Sequence, residues 1–454
     1  MVLSIYDTFS RAPKEISSGN GVVSMYCCGP TVYRDAHVGN LRTFLLSDLI
    51  ARTIRLSGLN VDMVQNITDV GHMSDDFQED KMLEQSEKEK IDPFEIARKY
   101  EERFHHDLSN LNIIPAQKYP RASESIELMH EMISALINKG AAYVAEDQCV
   151  YFDAQSFEGY GQISGNRLDS LKPGHKYEFV EDGAKKFHAD WALWKTAGNR
   201  KEMIWDSPWG PGFPGWHIEC SAMSLKFLDS HVNVHVGGID LRFPHHENER
   251  AQSNSITGTE SVDLWVHGEH LLFEGRKMSK SAGNVVLLND VIAKGFDPLA
   301  LRLCFLENRY RSQMDLSWQS IASAHDTIKR WRSKIAGWGL SNSIKIDSTI
   351  LAFLENDLET PRVITYLRSV EKDSNLTDAE KSNAFLFADQ VLGLHLSRPE
   401  KVKALSEELN LLLAERENAR AAKNWALSDE LRIRLESAGL EISDSAAGQS
   451  WSWR

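Results

Sequence analysis

A parallel α/β sheet, split by an insertion and followed by a helical C-terminal half, is the architecture this sequence predicts. Three stretches carry that prediction. Residues 22–28 are a short run of strand formers ending at Gly29-Pro30. Residues 39–56 place Leu41, Leu45 and Leu49 in one row four apart and Leu46, Ile50 and Ile54 in the next, the spacing of a buried helix. After the break at Gly58-Leu59-Asn60, residues 61–65 read as a second strand. Strand, helix, strand in this order opens a parallel sheet. Such sheets bind ligands beyond the carboxyl ends of their strands. Cys28, the loop to Gly39 and residues 66–69 are therefore expected on the binding edge.

The remaining elements follow in order. Residues 79–139 are helical in pattern and rich in charge, and residues 149–153 look like a strand. The next sixty or so residues abound in Gly, Pro and Trp, so about 120–205 reads as the insertion. Residues 232–238 resume the sheet and lead, past Phe243-Pro244, into a helix expected from His245 to Ser253; residues 264–273 look strand-like. Everything from Asp297 to about Ala414 reads as helix with short polar breaks, and residues 441–454 show no clear periodicity.

Composition narrows the class. The 454 residues, 42% hydrophobic and 26% charged, suit a soluble globular protein of about two to four domains. A net charge of -14 excludes a uniformly basic coat but leaves room for a local nucleic-acid track. Cys27, Cys28, Cys149, Cys220 and Cys304 are too scattered for a disulfide framework, which points to a reducing, cytoplasmic setting. No apolar run is long enough to cross a bilayer.

Three segments carry chemistry. On the expected helix His245 and Glu249 lie four apart and can reach the same ion, whereas His246 is left on a different face. Cys28 and Cys220 could complete a shell of two thiolates, one imidazole and one carboxylate, a donor set that suits zinc. The competing reading is a helix-start histidine with surface carboxylates. Strand alternation separates Cys27 from Cys28, and Cys149 and Cys304 sit in apolar runs as buried thiols. His37-Val38-Gly39-Asn40 lies where the first strand turns into its helix, a place with free N–H groups and partial positive charge suited to phosphate. Lys277-Met278-Ser279-Lys280-Ser281 is a second phosphate-suited loop. Alone, each could be an ordinary surface turn.

In their order and placement the last two segments resemble the signatures of class I aminoacyl-tRNA synthetases. Further blocks narrow the resemblance to the cysteinyl-tRNA synthetase family: residues 28–33 (CGPTVY), 66–69 (NITD), 205–210 (WDSPWG), 215–223 (GWHIECSAM) and 244–249 (PHHENE). The likeness spans essentially the whole chain. It implies a Rossmann-type catalytic domain over 1–264 with the insertion inside it. A stem-contact segment over 265–335, a helical bundle over 336–400 and an anticodon-binding region over 401–454 would follow.

The resemblance also implies the activity: L-cysteine is activated with ATP and Mg2+, and the cysteinyl group passes to the tRNA for cysteine. It assigns one Zn2+ per chain to Cys28, Cys220, His245 and Glu249, where the metal takes the substrate thiolate and so distinguishes cysteine from serine without an editing domain. His37, Lys277 and Lys280 are expected to act on the phosphates, with Gly39, Asn40 and Ser279 beside them. Gly237, Gly238 and Asp240 are expected around the adenosine, and Thr68, Trp216 and His217 around the amino acid. For tRNA the candidates are Lys329, Arg330 and Arg332, and Trp451, Trp453 and Arg454 in the tail. The expected assembly is a monomer without membrane association. Two departures from the family pattern stand out: Asn40 where histidine is common, and Arg34 where an acid is frequent. The rivals are a ligase passing activated cysteine to the amino sugar of mycothiol synthesis, and a non-catalytic RNA-binding derivative. The first should lack the anticodon-binding region, the second the lysines or the metal shell.

Replacing Lys280 with Ala is expected to slow ATP–pyrophosphate exchange while zinc content stays intact. An unchanged exchange rate removes Lys280 from the mechanism.

Overall fold

Strand β1 (Val22–Cys27), helix α1 (Val38–Leu56) and strand β2 (Asn60–Gln65) form the opening unit the apolar spacing predicts. The computed structural model describes residues 3–71, 80–171, 184–278, 283–340, 343–399, 405–445 and 448–453. Both leucine rows of α1 are buried, and its buried face packs on the sheet. The sheet resumes far along the chain with α2 (Trp216–Phe227), β3 (Val232–Gly238), α3 (Glu247–Thr257) and β4 (Val262–Gly268). All neighbours are parallel, in the order β4-β3-β1-β2. Val234 and Val236 on β3 pair with Met25 and Cys27 on β1. Strand order therefore reverses between β1 and β3, which leaves a crevice beyond their carboxyl ends.

Between the halves stands a four-stranded antiparallel sheet of Ala142–Val144, Val150–Phe152, Trp191–Thr196 and Gly212–Pro214. Its core is aromatic, with Phe152 stacked on Trp191 at 4.4 Å. This hydrophobic cluster also contains Cys28, Cys220 and Phe243. Its last strand runs directly into α2, so the insertion's packing fixes where the start of α2 points.

Several elements differ from the sequence reading. The strand-like stretch 264–273 is two strands, β4 and Leu271–Phe273, the latter in a separate sheet with Arg276–Lys277 and Met314–Leu316. Met314–Leu316 is a strand within the run expected to be helix with short polar breaks, because it pairs in parallel with Leu271–Phe273. Around it lie the helices Pro298–Leu306, Trp318–Trp338, Ser348–Glu355, Thr360–Lys372 and Asp378–Leu392. The helix expected from His245 begins at Glu247; a wide turn with non-helical Phe243 and a cis Phe243–Pro244 bond precedes it.

The chain divides into two compact units, Met1–Arg398 and Pro399–Arg454. In the smaller, helices Glu407–Ala421 and Trp425–Ser437 pack with an antiparallel hairpin, Leu440–Ser445 and Gly448–Trp453, around Leu412, Leu413, Leu431, Leu435, Leu440 and Ile442. The hairpin occupies the tail that shows no periodicity in sequence, because its first strand turns only Leu440 and Ile442 inward and the second is Gly, Gln and Ser around two tryptophans.

Arg302 locks the larger unit. It is fully buried, with Nη2 on the Asp48 carboxylate at 2.6 Å and Nη1 and Nε on the carbonyls of Leu111 (2.9 Å) and Leu392 (2.5 Å). Arg302→Met removes one partner of a buried ion pair and is expected to lower stability by about 3–5 kcal/mol. Denaturant unfolding checks this; a loss below about 1 kcal/mol contradicts it.

Candidate metal centre and active site

Three elements meet in the crevice. Cys28 continues β1, its N–H donating to Val236 O at 3.1 Å. Alternation turns its sulfur away from that of Cys27, which instead accepts a hydrogen bond from Ser47 Oγ at 2.9 Å in the core beneath α1. Helix α2 brings Cys220, and the turn into α3 brings His245 and Glu249. The ligand atoms of Cys28, Cys220, His245 and Glu249 all lie within 4.8 Å of one another, and all four residues are buried. His245 Nε2 stands 2.9 Å from Glu249 Oε1. With metal–ligand bonds of about 2.0–2.3 Å, donors this close fit around one zinc ion.

The electrostatics of the set favour a cation. Burial would raise the Glu249 carboxyl, yet His235 and His245 hold it well below the ordinary range. Burial would lower His245, yet Glu249 and Cys220 outweigh it and carry the imidazole up to about 10. The hydrogen bond from Cys28 holds Cys220 down at about 6 against burial, while burial and Cys220 push Cys28 well up. These shifts pull Cys220 and Glu249 toward their anions and His245 toward its cation, and a bound metal would take the place of the protons that balance the set.

His246 corrects the sequence reading. Expected on another face, it lies with Nε2 3.2 Å from Cys28 Sγ and 3.9 Å from Glu249 Oε1, because positions three apart are also neighbours on a helix. With His235, which reaches Glu249 Oε2 at 3.0 Å, it makes a second possible donor set of Cys28, His235, His246 and Glu249. The two sets differ in outlook. His235 and His246 pack on Trp265 at 4.6 and 5.1 Å, and His246 on His267. His245 packs at 4.2 Å on Trp216, which with Cys28 lines a cavity. Both sets reach the cavity at Cys28, and the set containing Cys220 and His245 borders it a second time through the packing of His245 on Trp216.

The same cavity reaches the start of α1, being lined also by Arg34, Asn40, Gly238 and Asp240. His37 caps α1: its Nδ1 accepts the Asn40 N–H at 3.2 Å, and Asn40 Oδ1 accepts the His37 N–H at 3.3 Å. The neutral ring therefore carries its proton on Nε2, free to donate. Burial and then Arg34 pull His37 below its ordinary pKa, which favours that neutral form. A methyl group at Gly39 would press on the His37 ring at 3.0 Å and on Met278 at 3.2 Å, so the lysine-bearing loop reaches this turn. Lys277 is exposed, with its carbonyl accepting from Asn284 Nδ2 at 3.1 Å. Ser279 and Lys280 lie outside the described residues.

A model of the class I (C) tRNA synthetase catalytic domain matches residues 15–326, and one of the cysteinyl-tRNA ligase anticodon-binding domain matches 402–451. The chain belongs to the cysteine–tRNA ligase family. Among its relatives, the cysteine–tRNA ligase of Thermus thermophilus is 38% identical over 99% of both chains. That of Treponema denticola is 35% identical over 99% of both, and cysteine–tRNA ligase 1 of Burkholderia lata is 39% identical over 99% of this chain and 96% of its own. The Mycobacterium tuberculosis methionyl-tRNA synthetase structure with methionyl-adenylate shares the fold, with a TM-score of 0.53 at 15% identity over 82% of this chain and 90% of that one.

Other expected residues fall in several places. Thr68 is buried behind Thr31, donating to Glu219 Oε2 at 2.8 Å. His217 Nδ1 stands 2.8 Å from His245 Nδ1 and so orients the His245 ring. A Cβ on Gly237 would lie 2.6 Å from the His246 ring, so this glycine makes room for that imidazole. Arg332, expected to face tRNA, is instead buried, bonded to Asp297 at 2.7 Å and to the carbonyls of His395 and Leu394. It shares the inward stripe of its helix with Ile328, Trp331 and Ile335. Lys329 and Arg330 remain exposed, Arg330 paired to Glu371 at 2.9 Å. Trp451 packs against the small unit's core; the Trp453 side chain and Arg454 lie outside the described residues. Sequence reasoning missed His235, His246 and Glu219. The signal for His235 was a buried-strand histidine set among Val232, Val234 and Val236.

Cys220→Ser and His245→Asn are each expected to cut zinc well below about one ion per chain, while His246→Asn retains it. Metal analysis of the purified variants decides. Loss only in His246→Asn assigns the ion to the second donor set.

Proposed function

We propose that this chain activates L-cysteine with ATP and transfers it to the tRNA for cysteine. The observation that carries the reading is a buried set of two thiols, one imidazole and one carboxylate beside the cavity that extends to the start of α1. When bound at Cys28, Cys220, His245 and Glu249, zinc supplies a soft Lewis acid that holds the substrate's sulfur and rejects the hydroxyl of serine. Trp216 walls the amino-acid side of the cavity, and Thr68 and His217 brace that wall from behind.

In the first step a carboxylate oxygen of cysteine attacks the α-phosphorus of ATP. The new O–P bond forms as the bond to the bridging oxygen breaks, giving cysteinyl-adenylate and pyrophosphate. The His37 Nε2–H and the α1 N-terminus offer donors to the phosphates, and Lys277 and Lys280 neutralise charge as it collects on the leaving pyrophosphate, with Mg2+ accompanying the nucleotide. Gly39 and Asn40 shape that turn, Ser279 belongs to the lysine loop, and Gly238 and Asp240 border the adenosine. Asn40 replaces a common histidine yet closes the α1 cap, which supports retention of the phosphate turn. In the second step a ribose hydroxyl of the tRNA 3′-adenosine attacks the carbonyl, and AMP leaves. No covalent enzyme intermediate is needed, so positioning supplies the acceleration.

The division into a catalytic region over 1–264, a stem-contact segment, a bundle and an anticodon-binding region is part of this reading. For the last, the match over 402–451 is the support. Lys329, Arg330 and the tail are proposed to meet tRNA; the burial of Arg332 removes it from that surface. The proposed metal ligands, phosphate turn and lysine loop all belong to one chain, consistent with a monomer. Among the described residues no helix is long and apolar enough to cross a membrane. The five cysteines form no disulfides, which supports a cytoplasmic setting.

The test supplies cysteine, ATP and either bulk tRNA or glucosaminyl-inositol. Acid-stable transfer of labelled cysteine to tRNA alone is expected. Transfer to the amino sugar would replace this reading, as would binding of tRNA without any pyrophosphate release.

A further inference from the structure

Arg42 lies one turn into α1 beyond the phosphate-binding cap and is buried, yet its four hydrogen bonds all go to backbone carbonyls. Nη1 donates to Glu269 O at 2.9 Å and His270 O at 3.1 Å; Nη2 donates to Arg309 O at 3.0 Å and Ser312 O at 2.8 Å. A cation whose hydrogen bonds all go to carbonyls is costly to bury, and burial draws its pKa down to about 10 although the Glu269 carboxylate opposes the fall. The two segments it clamps lead into the parallel strands Leu271–Phe273 and Met314–Leu316. The first of these turns directly into Arg276–Lys277. On the far side of the lysine loop, Val38 N–H donates to Val286 O at 3.0 Å and His37 bridges to Leu287. The first turns of α1 thus grip the segment that carries Lys277 at both its entry and its exit.

We infer that Arg42 is a positioning residue for cysteine activation, fixing where Lys277 stands relative to the His37 turn. The inference rests on the phosphate role proposed for the lysine loop. None of these four bonds goes to a metal ligand, so the effect of Arg42 should appear in the ATP half of the site alone. A displacement of about 1 Å between charge and reacting phosphate is enough for about a 10²-fold loss of rate.

The test measures ATP–pyrophosphate exchange on the full chain for Arg42→Met, Arg42→Lys, Lys277→Ala and, as a remote buried clamp, Arg302→Met. All are assayed at a temperature where each has native circular dichroism. Arg42→Met is expected to lose about 10²-fold in kcat, with KM for cysteine and zinc content unchanged. Arg42→Lys should fall between, because an ammonium lacks the guanidinium's fork. Arg302→Met should lose stability but keep kcat. A normal kcat in Arg42→Met beside a slow Lys277→Ala overturns the inference alone. An unaffected Lys277→Ala overturns the loop's phosphate role and the inference with it. Loss of zinc and of cysteine affinity together with kcat makes Arg42 merely structural. Should Arg42→Met fail to fold, Arg42→Lys decides by the same criteria.

Discussion

The buried carboxylate of Glu249 is the constraint on which the rest of the site depends. One oxygen meets His245 and the other His235, at 2.9 and 3.0 Å, with Cys28 Sγ 3.7 Å from the first. A lone carboxylate at this depth would be protonated; here flanking imidazoles keep it charged. Its partners come from β1, β3 and the turn before α3, so it ties both halves of a sheet whose strands are separated in sequence by more than a complete inserted domain. Packing follows the same demand. His217 orients His245, and Gly237 lacks a side chain where the His246 ring must sit.

The phosphate recognition proposed for the same crevice uses different physics. There the helix start of α1 supplies donors, and Asn40 completes a reciprocal cap with His37. Because the cap occupies Nδ1, the free Nε2–H is the one turned to other partners. In this proposal one helix serves twice: its first residues form the phosphate turn, and Arg42, just beyond, anchors the strands that lead to Lys277.

Much of this was legible in the sequence where a local period or a short spacing carried the information. The rows through Leu41 and Leu46 gave α1, and the separation of four between His245 and Glu249 gave a real contact although the helix proper starts later. Cys27 and Cys28 parted as alternation requires. What was not legible depends on tertiary partners. Met314–Leu316 is a strand only because Leu271–Phe273 lies beside it, and the terminal hairpin has too few apolar residues to announce itself. Arg332 looked like part of a basic patch until its helix was seen to turn that position inward toward Asp297. His235 needed the crossing of β3 with α3, which no linear spacing records, whereas the spacing of three between His246 and Glu249 was there to be read.

The central claim is that sulfur is recognised through a metal held by Cys28, Cys220, His245 and Glu249. Its most direct measurement compares cysteine and serine adenylation by the protein as purified and after chelation, with zinc added back. The account predicts that chelation abolishes the preference for cysteine, leaving at most the modest bias of a shaped pocket, about 10–200-fold, and that zinc restores it. Metal-free protein that still activates cysteine with its full preference over serine would contradict it.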